Sequence, residues 1–440
     1  MYGAVEANGG GGGAGPAYGT RRTCGSRALA GFVLLVAASV ALVVWSLQGN
    51  HQQQHSTDVN LDVDEPLTNA RAKHHKNEDK GLRARFPLPA GHQKDCAAED
   101  FVGTTLKLIK ETNFVNAMLN SGFNAEILDK FEASDIIGFH NDDKFLVVFD
   151  NSFQIGLVRR HGLNPGAEHT PFDENKLLDW PVDADGDSQF EAITYNQSAG
   201  TFLIFEETYQ DATDDDDDTD SSHSRAHEVR ISDDEQLEHV RVCDVDYAFS
   251  HDNKGIEGAS VIELHGQSYV LALCEGNYCD GGDRGREPGN GRMLLLERRI
   301  GSDNSTGDDK HEDACVYEVK QVIKLPESVA FMDYSSLSVY ENRKLVITSQ
   351  ENAAVWIADI EPVSQEESDA GSDLLRFQNG RILDFPRNDL CEIIYCNIEG
   401  AYFLQDDIIV TVSDAMKSKA RQPFVCRTKG QSIHVFLVPE

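Results

Sequence analysis

A phrase recurs five times along this chain: a short Ser- or Glu-led strand start, then an apolar strand that ends in an acidic or amide residue. The copies are EASDIIGFHNDDKFLVVFDN from Glu132, FEAITYNQSAGTFLIFEE from Phe190, IEGASVIELHGQSYVLALCEGN from Ile256, YSSLSVYENRKLVITSQEN from Tyr334 and IEGAYFLQDDIIVTVSDA from Ile398. They lie roughly 60 to 80 residues apart, a period that suits a radial β repeat rather than a solenoid. Further short strands fill each interval, such as FQIGLV and NKLLDWP after the first phrase, or VWIADI and GRILDFP after the fourth. Each unit therefore supplies about four strands, the content of one propeller blade. The expected fold is an all-β, five-bladed β-propeller over residues 96–440, with six blades as the alternative if the long inserts hide one. The last unit ends at Glu440 without an outermost strand, and TLKLIK at Thr105–Lys110 is the segment expected to fill that edge.

The formal net charge of -35 excludes nucleic acid as a partner, because phosphate binding needs a basic surface and no Lys/Arg cluster supplies one. Ala28 to Leu47 is an unbroken uncharged stretch long enough to cross a bilayer as a helix. Arg21, Arg22 and Arg27 precede it and no Lys or Arg follows until Arg71, so the positive-inside bias predicts a type II anchor. Residues 1–27 read as a disordered cytosolic tail, 28–47 as a signal-anchor helix and 48–95 as a flexible polar stalk. A cleaved signal peptide is the competing reading. The chain is expected to be a single-pass membrane protein, monomeric, with its large domain lumenal or extracellular.

Eight cysteines follow that stretch: Cys96, Cys243, Cys274, Cys279, Cys315, Cys391, Cys396 and Cys426. An even number in an oxidising compartment reads as disulfides. Cys274/Cys279 and Cys391/Cys396 are each spaced to close a small loop, or each cysteine pairs with a more distant one. Zinc is the lesser alternative, since there is no CxxC pair or companion His cluster. The sequons at Asn196 and Asn304 are candidate glycosylation sites.

Aligned on their lead residue, the phrases give one column of Ser134, Glu191, Glu257, Ser335 and Glu399 and a strand-end column of Asp150, Glu206, Glu275, Gln350 and Asp414. In an antiparallel pair the start of one strand lies beside the end of the next, so both columns are expected at one mouth of the propeller axis. Seven of the ten are carboxylates. Crowded carboxylates repel unless a cation compensates, and a hard cation with many oxygen ligands, Ca²⁺, is the expected one. The candidate metal ligands are Glu191, Glu257, Glu399, Glu206, Glu275, Asp150 and Asp414. The candidate ligand-binding positions are Asn253, Lys254, Ser134, Ser335 and Gln350, with Lys254 a source of compensating charge. The competing reading is that these residues cap strands and bond neighbouring backbone, Gly258 and Gly400 serving tight packing. Asp183 to Asp187 imitates the start of an EF-hand loop but fails at Ser188 and Thr194, and the aspartate run from Asp214 reads as a solvated loop. No GxSxG, P-loop or HExxH is present, and His140, His227, His251 and His265 read as surface or loop residues.

In the order of all five copies the chain resembles the SdiA-regulated (YjiK-like) β-propeller family: a Ser134-led start ending in Asp150, DSQFEAITY with FLIFEE, NKGIEG at Asn253 to Gly258 with LALCEGN, DYSSLS with LVITSQEN, and IEG with VTVSD. The resemblance covers about Phe131 to Glu440. It implies a membrane-anchored, extracytoplasmic propeller, and its relatives imply calcium-dependent lactonase, phosphotriesterase or phytase-like esterase chemistry. Asp135 and Ala192 stand where glycine is usual, and Gln350 where an acid is usual. Three functions follow as expectations: a propeller that binds a small molecule or protein at a calcium-bearing mouth, a calcium-dependent hydrolase with Glu257 or Glu275 as base, and a protein-interaction scaffold.

Overall fold

The computed structural model describes residues 103–118, 130–139, 142–163, 174–182, 184, 186–209, 222–251, 254–300, 315–364, 367, 373–388, 392–415, 426 and 429–440. Twenty strands fall into antiparallel runs of four. The first run is β2 (Ala133–Phe139), β3 (Lys144–Phe149), β4 (Ser152–Arg159) and β5 (Lys176–Leu178). The second is β6 (Phe190–Asn196), β7 (Thr201–Tyr209), β8 (Ser222–Ile231) and β9 (Leu237–Phe249), and the third β10 (Ile256–Leu264), β11 (Gln267–Cys274), β12 (Arg292–Ile300) and β13 (Cys315–Lys324). The fourth is β14 (Ser336–Tyr340), β15 (Lys344–Ser349), β16 (Ala354–Pro362) and β17 (Leu375–Asp384). The last joins β18 (Ile398–Gln405), β19 (Ile408–Ser413) and β20 (Ser432–Leu437) to β1 (Lys107–Asn113) from the other end of the chain.

The first strands of the five runs touch in cyclic order, β2 to β6 to β10 to β14 to β18 and back to β2. This is the plan of a β-propeller. It explains why the inner strands read as continuous apolar runs: each sheet is covered on both faces by its neighbours. Five apolar clusters sit between successive sheets, such as Leu271, Leu273 and Met293 against Leu345 and Trp356, or Phe131, Phe149 and Val147 against Val412 and Val435. The closing strand is β1, which starts two residues and ends three residues later than the expected Thr105–Lys110. Lys107 pairs with Leu437 and Asn113 with Ser432, while Thr105 bridges to Asp384 at the end of β17.

The second and third runs form one eight-stranded sheet, because their last strands pair in parallel from Val316↔Asp244 to Glu318↔Asp246. The Cys243–Cys315 disulfide joins the same two strands. Cys274–Cys279 closes the short loop that spacing allowed, and Cys396 pairs with Cys426. Cys96 and Cys391 lie outside the described residues. Between the first two runs, Glu235 at the β8–β9 turn takes Lys144 (2.8 Å), Arg159 (2.5 Å) and Lys176 (2.7 Å). Burial alone raises its pKa, but these three donors bring it down to about 2. Among the described residues no helix is long and apolar enough to cross a membrane, and Ala28–Leu47 lies outside them.

At the axis the backbones come close enough to require glycine. A Cβ on Gly258 would stand 2.3 Å from the Leu337 nitrogen, and one on Gly400 2.7 Å from the Asp135 Cα. At Gly258 the two nearest atoms are backbone of the next strand, which leaves no flexible end to yield, whereas at Gly400 the Val412 Cγ2 stands as near, at 2.6 Å. Gly258→Ala is therefore expected to cost about 3 kcal/mol in urea unfolding, whereas Gly200→Ala, whose Cβ would meet nothing within 4 Å, costs only the strain of its positive φ.

Candidate active or binding mouth

The two polar columns are joined by a repeated backbone bond. The residue ending the second strand donates its N–H to the carbonyl two places before the lead: Asp150 to Glu132 (3.0 Å), Glu207 to Gln189 (2.8 Å), Glu275 to Gly255 (3.3 Å) and Asp414 to Asn397 (2.9 Å). This register corrects the second copy. Glu206 pairs across from Phe190, and its carboxylate lies 2.9 Å from His227 Nε2 and 3.3 Å from Arg225, while Glu207 takes the column position. A one-residue slip in a strand reverses the face, and here the flanking residues are buried on both faces, so alternation carries no signal. The lead-to-end interval carries none either, since Glu191 to Glu206 matches the spacing of Ser335 to Gln350 and Glu191 to Glu207 that of Ser134 to Asp150; the bulge between Phe190 and Ala192 decides.

The side chains on the second and third units converge. The oxygens of Glu207, Glu257 and Glu275 lie within 4.8 Å of one another. Burial, and then the charges of Glu207, Asp150 and Glu399, push the Glu191 carboxyl well above its ordinary range, although Ser134 donates to it. Glu257 is pushed up by burial and by Glu191, Glu275 and Glu207. Lys254 pairs with Glu275 and feels Glu257 and Glu207 as well, which outweighs the burial that would lower its pKa. Asn253 lies outside the described residues.

Other sequence candidates have structural partners. Ser335 Oγ meets Thr348 Oγ1 (2.9 Å) and donates to the Ile398 carbonyl (3.1 Å). The Gln350 carbonyl accepts from Ala353 N–H in the turn to β16. Asp414 is buried within the field of Lys130, which pairs with Glu132 and also feels Asp150. Asp183, Asp185, His140 and the aspartate run lie outside the described residues.

Three features escaped the sequence reading. The residues two before each lead, Glu132, Gln189, Gly255, Asp333 and Asn397, form a third column, polar in all but Gly255, that emerges once the phrases are aligned. Among them Asp333 is raised to about 7 by burial and by the charges of Glu351 and Glu275, although Ser349 Oγ and the Glu351 N–H donate to it. One place after the lead, Asp135 fills the axis: it accepts from Ile193 N–H (3.0 Å) and from Ser336 Oγ (3.0 Å), and Ser336 Oγ accepts from Ala401 N–H (3.0 Å). Two side chains, each one place after its lead, thus tie four units together.

The third feature is a Ser–His–acid arrangement, with Ser413 Oγ 3.2 Å from His434 Nε2 and His434 Nδ1 3.2 Å from Glu111. It lacks an available nucleophile. Ser413 is 1% exposed and its hydroxyl donates to the Lys429 carbonyl at 2.7 Å. The arrangement, with Lys429 on Glu111 at 2.7 Å, clasps β1 to β20.

No family model matches the chain, and no curated protein matches it. Among solved structures it is similar to the PQQ-bound aldose sugar dehydrogenase of Streptomyces coelicolor (8% identity, 76% of this chain and 98% of that one, TM-score 0.37). It is similar also to the periplasmic gluconolactonase of Pseudomonas aeruginosa (12% identity, 66% of each chain, TM-score 0.27) and to a luciferin-regenerating enzyme (9% identity, 76% of this chain and 94% of that one, TM-score 0.31). At this distance none bears on what the chain does; the propeller assignment rests on the strand order above.

The mouth sets a pH signature. A carboxyl whose folded pKa lies above its unfolded value keeps its proton longer in the native state, so stability falls as pH rises from the unfolded value through the folded one. Glu191, Glu257 and Asp333 act in that direction. Glu235 acts oppositely, and its contribution is lost as pH falls from about 4.5 toward 2. In chelator the melting temperature of residues 96–440 should therefore peak in the mildly acidic range and decline from pH 5 to 8. Asp333→Asn should flatten that decline, and a decline unchanged by this substitution would count against the assignment.

Proposed function

We propose that this chain is a five-bladed propeller of the SdiA-regulated type, held to a membrane by residues 28–47 with its domain on the extracytoplasmic side, and that it binds calcium and a ligand at the carboxylate mouth. One observation carries the calcium reading: three carboxylates from neighbouring units with oxygens within 4.8 Å of one another. An all-oxygen, multiply charged donor set fits a hard divalent cation, with water completing the shell, and suits neither zinc nor copper. Glu207, Glu257 and Glu275 are the residues that would hold it. Glu191 and Glu399 extend the acidic wall beside them. The three disulfides support a domain exposed to an oxidising compartment.

A calcium-dependent ester or lactone hydrolase is the second reading, favoured by Asp333. Its carboxyl, raised to about 7 and within the field of Glu275, suits proton transfer near neutral pH. The bound ion would supply a Lewis acid for the substrate oxygen. A scaffold that binds another protein through the same face is the third.

Calorimetric titration of calcium into residues 96–440 tests the reading. Binding should stabilise the fold by about 2.7 kcal/mol at one hundred times the Kd. Glu257→Gln should raise the melting temperature in chelator, by removing one repelling charge, while weakening calcium binding at least tenfold. A variant that shifts neither quantity would sink the calcium reading. Lys254→Met should tighten calcium binding, because the ammonium group competes for the same three carboxylates.

A further inference from the structure

At the other end of the first two strands of the second unit lies the β6–β7 turn, which carries the sequon Asn196-Gln197-Ser198. Ser198 Oγ donates to Asn196 Oδ1 at 2.8 Å, the Ala199 N–H donates to the same oxygen at 3.2 Å, and the Gly200 N–H donates to the Asn196 carbonyl at 2.8 Å. Both side-chain bonds of the turn fall on Oδ1, and neither uses Nδ2. Asn196 also forms part of the wall of a cavity of about 400 Å³ between the second and third units. The far wall carries Tyr269, Tyr317 and Leu296, and the polar part Gln267, Glu297 and Arg298. Tyr317 and Leu296 are buried and form the floor, so the half-buried Tyr269 ring supplies the apolar surface, with hydrogen-bonding groups beside it; that pairing suits a pyranose, whose faces are apolar and whose edge carries hydroxyls and an acetamide. The volume is within the range of small-molecule sites.

We propose that Asn196 is N-glycosylated and that the first N-acetylglucosamine of its own glycan lies in this cavity, bridging the second and third units. The proposal rests on the extracytoplasmic reading above. In the transfer, Asn196 Nδ2 bonds to C1 of the sugar while the C1–O bond to a polyprenyl-diphosphate donor breaks. The nitrogen's proton is lost to base and the diphosphate is the leaving group. The sugar then stands across a junction already joined by Cys243–Cys315 and by Arg298 on buried Glu228 (3.3 Å).

The test is peptide mass spectrometry of the full chain from a secretory eukaryotic host, combined with release by peptide-N-glycosidase before and after denaturation. Occupancy at Asn196, with release at least tenfold slower from the native protein than from the denatured one, is the expected result. Tyr269→Ala should bring the two rates together. Occupancy of Asn304 but not of Asn196 overturns the site while leaving the extracytoplasmic reading intact, and absence of glycan from both sequons overturns the two together. Equal release rates from native and denatured wild-type protein overturn the cavity placement, a result independent of how the Tyr269 variant folds.

Discussion

The structure depends on bringing five strand starts to one axis at backbone contact distance. That requirement decides the residues there: Gly258 and Gly400 leave room where a Cβ would strike the next strand, and Ala192 is buried among neighbours. Asp135 and Ser336 have side chains because a ring of bare backbones would leave N–H groups such as those of Ile193 and Ala401 without acceptors at the axis. Burial raises the Asp135 carboxyl well above its ordinary range, and the donors from three other units only partly offset this. Asp135 therefore costs the fold desolvation and returns four-unit connectivity.

The same convergence creates the mouth. Side chains one step from the axis are drawn toward their neighbours from adjoining units, and this chain places carboxylates at most of those positions. Their mutual repulsion is met locally by two lysines: Lys254 among Glu207, Glu257 and Glu275, and Lys130 among Glu132, Asp150 and Asp414. These two cations divide the ring into separate arcs. Glu191 feels Glu207 of one arc and Asp150 of the other, and burial together with these charges pushes its carboxyl up.

Most of the architecture was legible because the repeat is physical before it is textual: strands covered on both faces are apolar throughout, and their spacing counts the units. What stayed hidden was set by position rather than composition. Glu206 and Glu207 are chemically identical, and only the one-residue bulge between Phe190 and Ala192 decides which reaches the mouth. Asp333 belongs to a column of five different residue types, so no identity marks it. The parallel pairing of β9 with β13 joins cysteines 72 residues apart through strands whose acidic residues, Asp244, Asp246 and Glu318, read as ordinary solvent-facing edges.

That pairing and the mouth bear on each other. With Ser134 and Ser335 in place of two lead acids, charge concentrates on the second and third units, where Glu191, Glu207, Glu257 and Glu275 face one another. Repulsion along the inner strands of two adjacent sheets acts to splay them, and a sheet that pivots about its inner strand moves most at its outer edge. The outer strands of these two units pair in one continuous sheet and, alone among the described residues, are linked by a disulfide. The third and fourth units, whose contact carries the apolar cluster around Trp356 and Leu271, are joined at their outer strands through the Gln321 side chain to Asp373 and Leu374, with no disulfide among the described residues. The staple thus falls at the junction with the greatest electrostatic load, which lets the mouth keep a carboxylate density that apolar packing between sheets would otherwise have to hold alone.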